Sequence, residues 1–245
     1  MKISFKLLLA SALIMSAGQL SAKSFTPPHT NQAQAPQIKP LDAFTNINLS
    51  GRYNYFIAMG LNESLRVEAS KNVLPYIASE VKNGTLNVYE KKQNGAVGIP
   101  KNEKINIYIT AREISGIQLS ALGNVFFKDG IISSTLHLAL AGPGSFTGKV
   151  NVTTLNCILN GPGNVELKGT TGSANVKVTG SGNFMGSDLK AANTNIEVNG
   201  YGNAWINATK SLNAKVAGSG SVHYSGNPKK ITKSNSGGGL IIKGK

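Results

Sequence analysis

The segment Leu-His-Leu-Ala-Leu-Ala-Gly-Pro-Gly-Ser-Phe-Thr-Gly, residues 136–148, decides the fold of this chain. Apolar side chains alternate with small or polar ones up to a Gly-Pro-Gly corner, and the alternation resumes after the corner. A period of two is typical of a β-strand that buries one face. The segment therefore predicts two short strands that meet at a glycine corner.

This pattern recurs through the second half of the 245-residue chain. Gly-x-Gly corners end at residues 144, 163, 182, 202, 220 and 239, after a degenerate copy that ends at Gly123, so the steps are 21, 19, 19, 20, 18 and 19 residues. One such unit cannot bury its own apolar face, whereas stacked units bury a continuous column of side chains. The repeat predicts an all-β fold in which residues 114–245 form a parallel β-helix, a solenoid with coils of about 19 residues.

The first half also alternates, but it has no glycine period. The strands predicted there span residues 44–50, 53–58, 65–69, 85–89 and 105–110. The dipeptide Asn83-Gly84 is a strong signal for a tight hairpin turn. An open end of a solenoid would expose apolar rungs and unpaired strand edges. We therefore predict that residues 41–113 form a β-rich N-terminal cap that is continuous with the solenoid.

The N-terminus has the layout of a secretory signal. Lys2 and Lys6 precede the apolar run Leu7–Ala17, and the small residues that follow end at Ala22. We predict a signal peptide at residues 1–22, a Pro/Gln-rich tether at residues 23–40, and export to the periplasm, the outer-membrane surface or the medium. No later apolar stretch approaches the roughly 20 residues that a membrane-spanning helix needs. A single cysteine excludes an intrachain disulfide.

The charge balance indicates what an exported protein of this kind would meet. The chain has 25 Lys+Arg and 11 Asp+Glu, and removal of the signal peptide takes away two lysines, which leaves 23 − 11 = +12. The partner classes that follow are an anionic glycan, lipopolysaccharide or a surface protein. A nucleic acid is not expected, because the basic residues lack the interleaved aromatic residues of single-strand binders.

From Phe44 to its end, the chain resembles the GIN-domain family, the auto-transporter adhesin head domains of bacterial envelopes. The resemblance rests on three motifs in this order: Val81–Val88, then Ile105–Ile109 leading into Ile117–Val125, and Gly-Ser-Gly-Asn-type repeats that close with Tyr224–Pro228. It implies a right-handed β-helix with a signal peptide and a role in surface adhesion. The family brings no catalytic motif to this sequence.

The carboxylates of the solenoid give no sign of a catalytic pair. From Ile114 onward they are Asp129, Glu166, Asp188 and Glu197. The two aspartates lie three coils apart, roughly 14 Å at the spacing of paired strands, and paired-carboxylate hydrolysis needs about 5–9.5 Å. We therefore predict a non-enzymatic binding or scaffolding protein of the cell envelope without a cofactor or metal. The alternatives are a polysaccharide-degrading β-helix enzyme and a purely structural envelope protein.

Two outward features are candidates for a ligand-binding surface. Lys128, Lys149 and Lys168 share the fifth position after the last glycine on three consecutive coils, which could suit a polyanion or could be a solvated basic edge that blocks aggregation. Tyr201 lies at a corner tip, and Trp205 points outward close by. Exposed aromatic side chains often contact sugars or proteins.

Two further outward rows are rich in asparagine. One lies five residues before each corner and runs from His137 to Asn213, and the other directly follows each corner and runs from Asn124 to Ser221. Stacked amides can hydrogen-bond from coil to coil. We interpret both rows as structural ladders, with a glycan-binding polar stripe as the alternative.

Overall fold

The computed structural model describes residues 38–91, 98–100 and 102–244. The predicted signal peptide and nearly all of the predicted tether lie outside these residues. Where the chain is described it is almost entirely strand, and it forms a β-solenoid of about 7 turns with coils of about 19 residues. The predicted fold class is confirmed.

Five long strands each make nearly a full coil of the solenoid. They are β9 (Asn124–Ala141), β10 (Ser145–Asn160), β11 (Asn164–Gly180), β12 (Asn183–Gly200) and β13 (Ala204–Gly218). Each pairs in parallel with the next, so that Leu138, Cys157, Val176 and Ile196 stand in one line. All four side chains are buried, which confirms the inward column.

The C-terminal end of the stack continues on shorter strands. They are β14 (Val222–Ser225), β15 (Lys230–Asn235) and β16 (Ile241–Lys243). β14 and β15 both pair in parallel with β13, and β16 pairs with β14. Every residue of β15 is exposed, because within the described chain no further coil covers it.

The N-terminal third contains eight strands and one 3-10 turn, Leu74–Tyr76. The strands are β1 (Ile38–Pro40), β2 (Asn46–Leu49), β3 (Asn54–Met59), β4 (Ser64–Glu68), β5 (Ile77–Lys82), β6 (Thr85–Glu90), β7 (Asn106–Ala111) and β8 (Gly116–Leu119). The five strands predicted from alternation correspond to β2, β3, β4, β6 and β7. The predicted hairpin turn at Asn83-Gly84 joins β5 to β6, with positive φ angles of 51° and 69°.

These strands do not stack in chain order. β2 lies between β6 and β8, and β3 lies between β7 and β9, with parallel pairing throughout. The first winding of the chain is thus enclosed by segments that follow it. On the outer side of this end, β4 pairs antiparallel with β7, and β5 pairs antiparallel with β6. These two antiparallel strands, together with β1 on β4, cover the end of the solenoid.

The two glycines of each corner serve different purposes. The first has a positive φ, as at Gly161 (121°) and Gly200 (126°), which side chains with a Cβ rarely adopt. The last glycine lies against the preceding corner. A Cβ on Gly182 would lie 2.2 Å from the carbonyl oxygen of Gly163, and one on Gly220 would lie 1.9 Å from that of Gly202. The last glycine is therefore set by close packing between coils.

Candidate functional site

The face of the solenoid that follows each corner carries three outward rows of side chains. They occupy the first, third and fifth positions after the corner, because residues two and four point into the core. The first position carries the asparagine row that begins each strand. The fifth carries the predicted lysines. The third, between them, carries the residues that form the candidate site.

We call this middle line the outer row. Strand pairing places its members side by side in the order Arg66, Tyr108, Phe56, Phe126, Thr147, Glu166, Met185, Trp205, His223 and Ile242. Sequence analysis singled out Trp205 alone. The row was hidden because three of its first four members come from β3, β4 and β7, whose order in space differs from their order in the chain.

Aromatic rings stack along both ends of the outer row. The rings of Tyr108 and Phe56 have centroids 5.0 Å apart at 17°, and those of Phe56 and Phe126 are 5.3 Å apart at 20°. At the other end, Trp205 stacks on His223 at 5.2 Å and 9°. These spacings are close to the distance between paired strands, so the ring faces are directed along the solenoid.

Between the two stacks the outer row drops to Thr147 and Glu166, which leaves a groove of about 580 Å³. We call this groove the slot. Its lining comprises Phe126, Phe127, Lys128, Asp129, Thr147, Gly148, Lys149, Glu166, Leu167, Lys168, Met185, Ser187 and Asp188. Phe126 and Met185 stand at its two ends, three strands apart, or roughly 14 Å.

The structure brings the three predicted lysines together at the slot, where all three are exposed. Lys149 pairs with Lys168 in register, and Lys128 lies beside them in a bulge of β9. Three carboxylates share the slot with them: Asp129, Glu166 and Asp188. Within the described residues, none of these six groups takes part in an ion pair. The slot therefore holds equal numbers of unpaired positive and negative groups.

Sequence analysis did not anticipate this grouping of carboxylates. It compared Asp129 with Asp188, and Glu166 with Glu197. The closer relation is between Glu166, on β11, and Asp188, on the adjacent coil β12. Bulges in both coils move the aspartates toward the outer row, and bulges leave no trace in the spacing of the glycines.

The two predicted aromatic residues are placed differently. Tyr201 stands at a corner tip with 76% of its surface exposed. Trp205 is half-buried in the outer row, and its stacking partner is His223 on the next coil. Met185 separates Trp205 from the slot.

The asparagine rows form hydrogen-bonded ladders. In the row after the corners, Asn183 Nδ2 donates to Asn164 Oδ1 at 3.1 Å, and the backbone N–H of Asn203 donates to Asn183 Oδ1 at 3.1 Å. In the row before the corners, Asn175 Nδ2 donates to Asn156 Oδ1 at 2.9 Å, and Asn195 does the same to Asn175 at 3.0 Å. These bonds support the structural interpretation of both rows.

A polar cluster closes the N-terminal end of the outer row. The guanidinium carbon of Arg66 lies 3.8 Å from the centroid of the Tyr108 ring, and Arg66 also pairs with Glu68. The Tyr108 hydroxyl donates to Glu68 Oε2 at 2.8 Å. This hydrogen bond is the main cause that lowers the pKa of Glu68 and raises the pKa of Tyr108. The cluster holds the first ring of the stack in place.

The remaining reactive groups point to no other site. Cys157 is buried in the core, and burial raises the pKa of its thiol to about 12. In the described ranges, His, Cys, Asp and Glu side chains form no group that could hold a metal ion. That part of the chain also contains no helix with the length and apolar character to cross a bilayer.

Comparison with protein families places the chain by sequence. A family profile described as "Putative auto-transporter adhesin, head GIN domain" matches residues 43–228. This match confirms the resemblance predicted from the three motifs. No curated protein matches the chain significantly.

Solved structures agree with this placement. A "putative adhesin" from Bacteroides fragilis is 26% identical and superposes with a TM-score of 0.77, over 85% of this chain and 96% of that one. A "putative adhesin" from Parabacteroides merdae (19% identity, TM-score 0.69, 88% and 98% covered) has the same fold. So does a "putative lipid binding protein" from Parabacteroides distasonis (23% identity, TM-score 0.68, 88% and 98% covered).

Proposed function

Since the chain belongs to the GIN-domain family, we propose that it is an exported, non-enzymatic binding module of the bacterial cell envelope. The observation that carries the proposal is the face with the outer row, where the slot, the three predicted lysines and Trp205 lie on one rigid sheet. A solenoid holds such side chains at fixed spacing, so that a ligand meets a pre-organised surface. Export is supported by the family's description and by the predicted signal peptide.

The partner classes are those predicted from charge: an anionic glycan, lipopolysaccharide or a surface protein. The lysines of the slot offer donors for an anion. Binding of the purified protein to a glycan array, to lipopolysaccharide and to fractionated envelopes tests the proposal. Saturable binding to any of these supports it. Absence of saturable binding to all of them would contradict it and would favour a purely structural role.

A polysaccharide-degrading enzyme is the second candidate, because Asp129, Glu166 and Asp188 line one groove. Incubation with the same glycans, followed by an assay for new reducing ends or unsaturated products, distinguishes the two functions. We expect no turnover by the wild-type protein. Turnover that is lost in Glu166→Gln, with Glu197→Gln on the other face as the control, would establish the enzyme instead.

A further inference from the structure

We propose that the slot binds an uncharged oligosaccharide, with one sugar ring lying against the free face of Phe126. This inference rests on the proposed binding function and names the ligand class. Its basis is the combination of an open aromatic face with a balanced set of donors and acceptors, two features that a sugar ring matches and a polyanion does not.

The first step concerns the ring of Phe126. One of its faces is covered by Phe56 in the stack. Its opposite face is directed toward the next coil, where the outer-row residue is the small Thr147. A pyranose ring presents axial C–H groups on its flat face, and these groups pack against the negative face of an aromatic ring. Phe126 is thus an aromatic wall with room for such a ring in front of it.

The second step concerns the sides of the slot. Lys128, Lys149 and Lys168 can only donate hydrogen bonds, and ionised Asp129, Glu166 and Asp188 can only accept them. A sugar hydroxyl does both, so it can bridge a lysine and a carboxylate. A polyanion would gain from the lysines but would be repelled by an equal number of carboxylates. The charge balance therefore favours a neutral ligand over the anionic glycan expected from the net charge.

The third step concerns size. A groove of about 580 Å³ lies within the range of about 300–1,000 Å³ that small-molecule sites occupy. Met185, with 37% of its surface exposed, closes the far end with a flexible thioether. The slot is open along the solenoid face, so a chain of several sugars could extend from it.

Calorimetric titration with neutral probes (cellohexaose, laminarihexaose, chitohexaose and mannohexaose) tests the inference. Lipopolysaccharide and polygalacturonate serve as anionic probes. We expect at least one neutral probe to bind, with an affinity that changes less than about twofold between low and high salt, because screening acts on charges. Phe126→Ala should weaken that binding at least tenfold.

Thr147→Tyr keeps a good strand residue and fills the slot beside Phe126, so it should also abolish binding. Ile158→Ala, at an exposed residue outside the slot, should leave it unchanged. Thermal unfolding of each variant verifies the fold. Binding only of the anionic probes with a steep salt dependence would overturn the inference and leave the proposed binding function intact. Neutral binding that both slot variants retain would overturn the inference too, and failure of every probe would overturn both.

Discussion

At the residue scale, the stack depends on the last glycine of each corner. This glycine has an ordinary φ, yet any Cβ there would overlap the corner beneath it. The overlap tightens toward the C-terminus, from 2.4 Å at Gly144 to 1.9 Å at Gly220 and 1.7 Å at Gly239. Corner carbonyls lie so close because the coils hydrogen-bond to each other there, as from the N–H of Gly220 to the oxygen of Gly200 at 2.9 Å.

We expect Gly220→Ala to lower the free energy of unfolding by about 3 kcal/mol, the upper range for overpacking a close-packed interior. The added methyl group must displace the backbone of Gly202 and not merely a flexible side chain. Ser219→Ala, at the exposed tip of the same corner, is the matched control and should change stability little. Urea denaturation followed by circular dichroism measures both. Equal midpoints for the two variants would refute the close-packing explanation.

At the scale of one coil, the asparagine ladders tie neighbouring strands together from outside. Asn183 is a central link, because it donates to Asn164 and accepts from both the backbone and the side chain of Asn203. Hydrogen bonds between part-exposed groups contribute modestly one by one. A ladder that runs along the whole face nevertheless adds such a contribution at every corner.

Asn183→Ala should lower the free energy of unfolding by about 1–2 kcal/mol, the loss of one or two such bonds. Asn183→Asp should lose less, because it keeps the acceptor for the Asn203 N–H. Asn160→Ala is the control, since this exposed side chain makes no hydrogen bond within the described residues. Denaturation curves for the three variants would contradict the ladder if Asn183→Ala and Asn160→Ala were equally stable.

Sequence predicted the coils wherever glycine marks the corner, and it missed the coil formed by β2 and β3. There Tyr53 occupies the position of the last glycine, and the ring is buried. A side chain fits because the neighbouring connection, from β6 to β7, has 15 residues where a corner has four. Without a tight corner beneath it, the position has no need for glycine, so the repeat signal is absent.

The candidate site was predictable in part for a similar reason. The lysine row follows the period of the coils and could be read from the sequence. Phe126 and Phe56 are 70 residues apart in the chain, and only the interleaved order of β3, β7 and β9 stacks their rings. That order is a tertiary property with no local signal.

At the scale of the whole molecule, lysines mark the open end. Lys233 pairs in register with the buried Ala214, and Lys243 pairs with the buried Tyr224, so both occupy positions that face inward in earlier coils. The ammonium group of Lys233 lies 4.7 Å from the centroid of the Tyr224 ring and donates to the oxygen of Ile241 at 3.2 Å. Inward-pointing charges are a known protection of exposed strand edges against pairing with other chains.

The double variant Lys233→Val/Lys243→Val should therefore associate end to end, because it offers an apolar rung and a free edge to a second copy. Light scattering coupled to size-exclusion chromatography, over a range of concentrations, measures the mass. Lys177→Val, which removes an outward lysine from the side of the solenoid, is the control and should leave the mass unchanged. A double variant with the same mass as the wild-type protein at every concentration would rule out this protective role.

The interleaved N-terminal windings also impose a direction on assembly. During synthesis β2 and β3 emerge before any strand that flanks them, so they have no template until residues up to β7 and β9 follow. Repeat arrays can usually nucleate at any unit, but here the crossing makes the N-terminal third the seed. From β9 onward each coil settles on a finished edge, and growth proceeds one way until the lysine-bearing strands bring it to a stop.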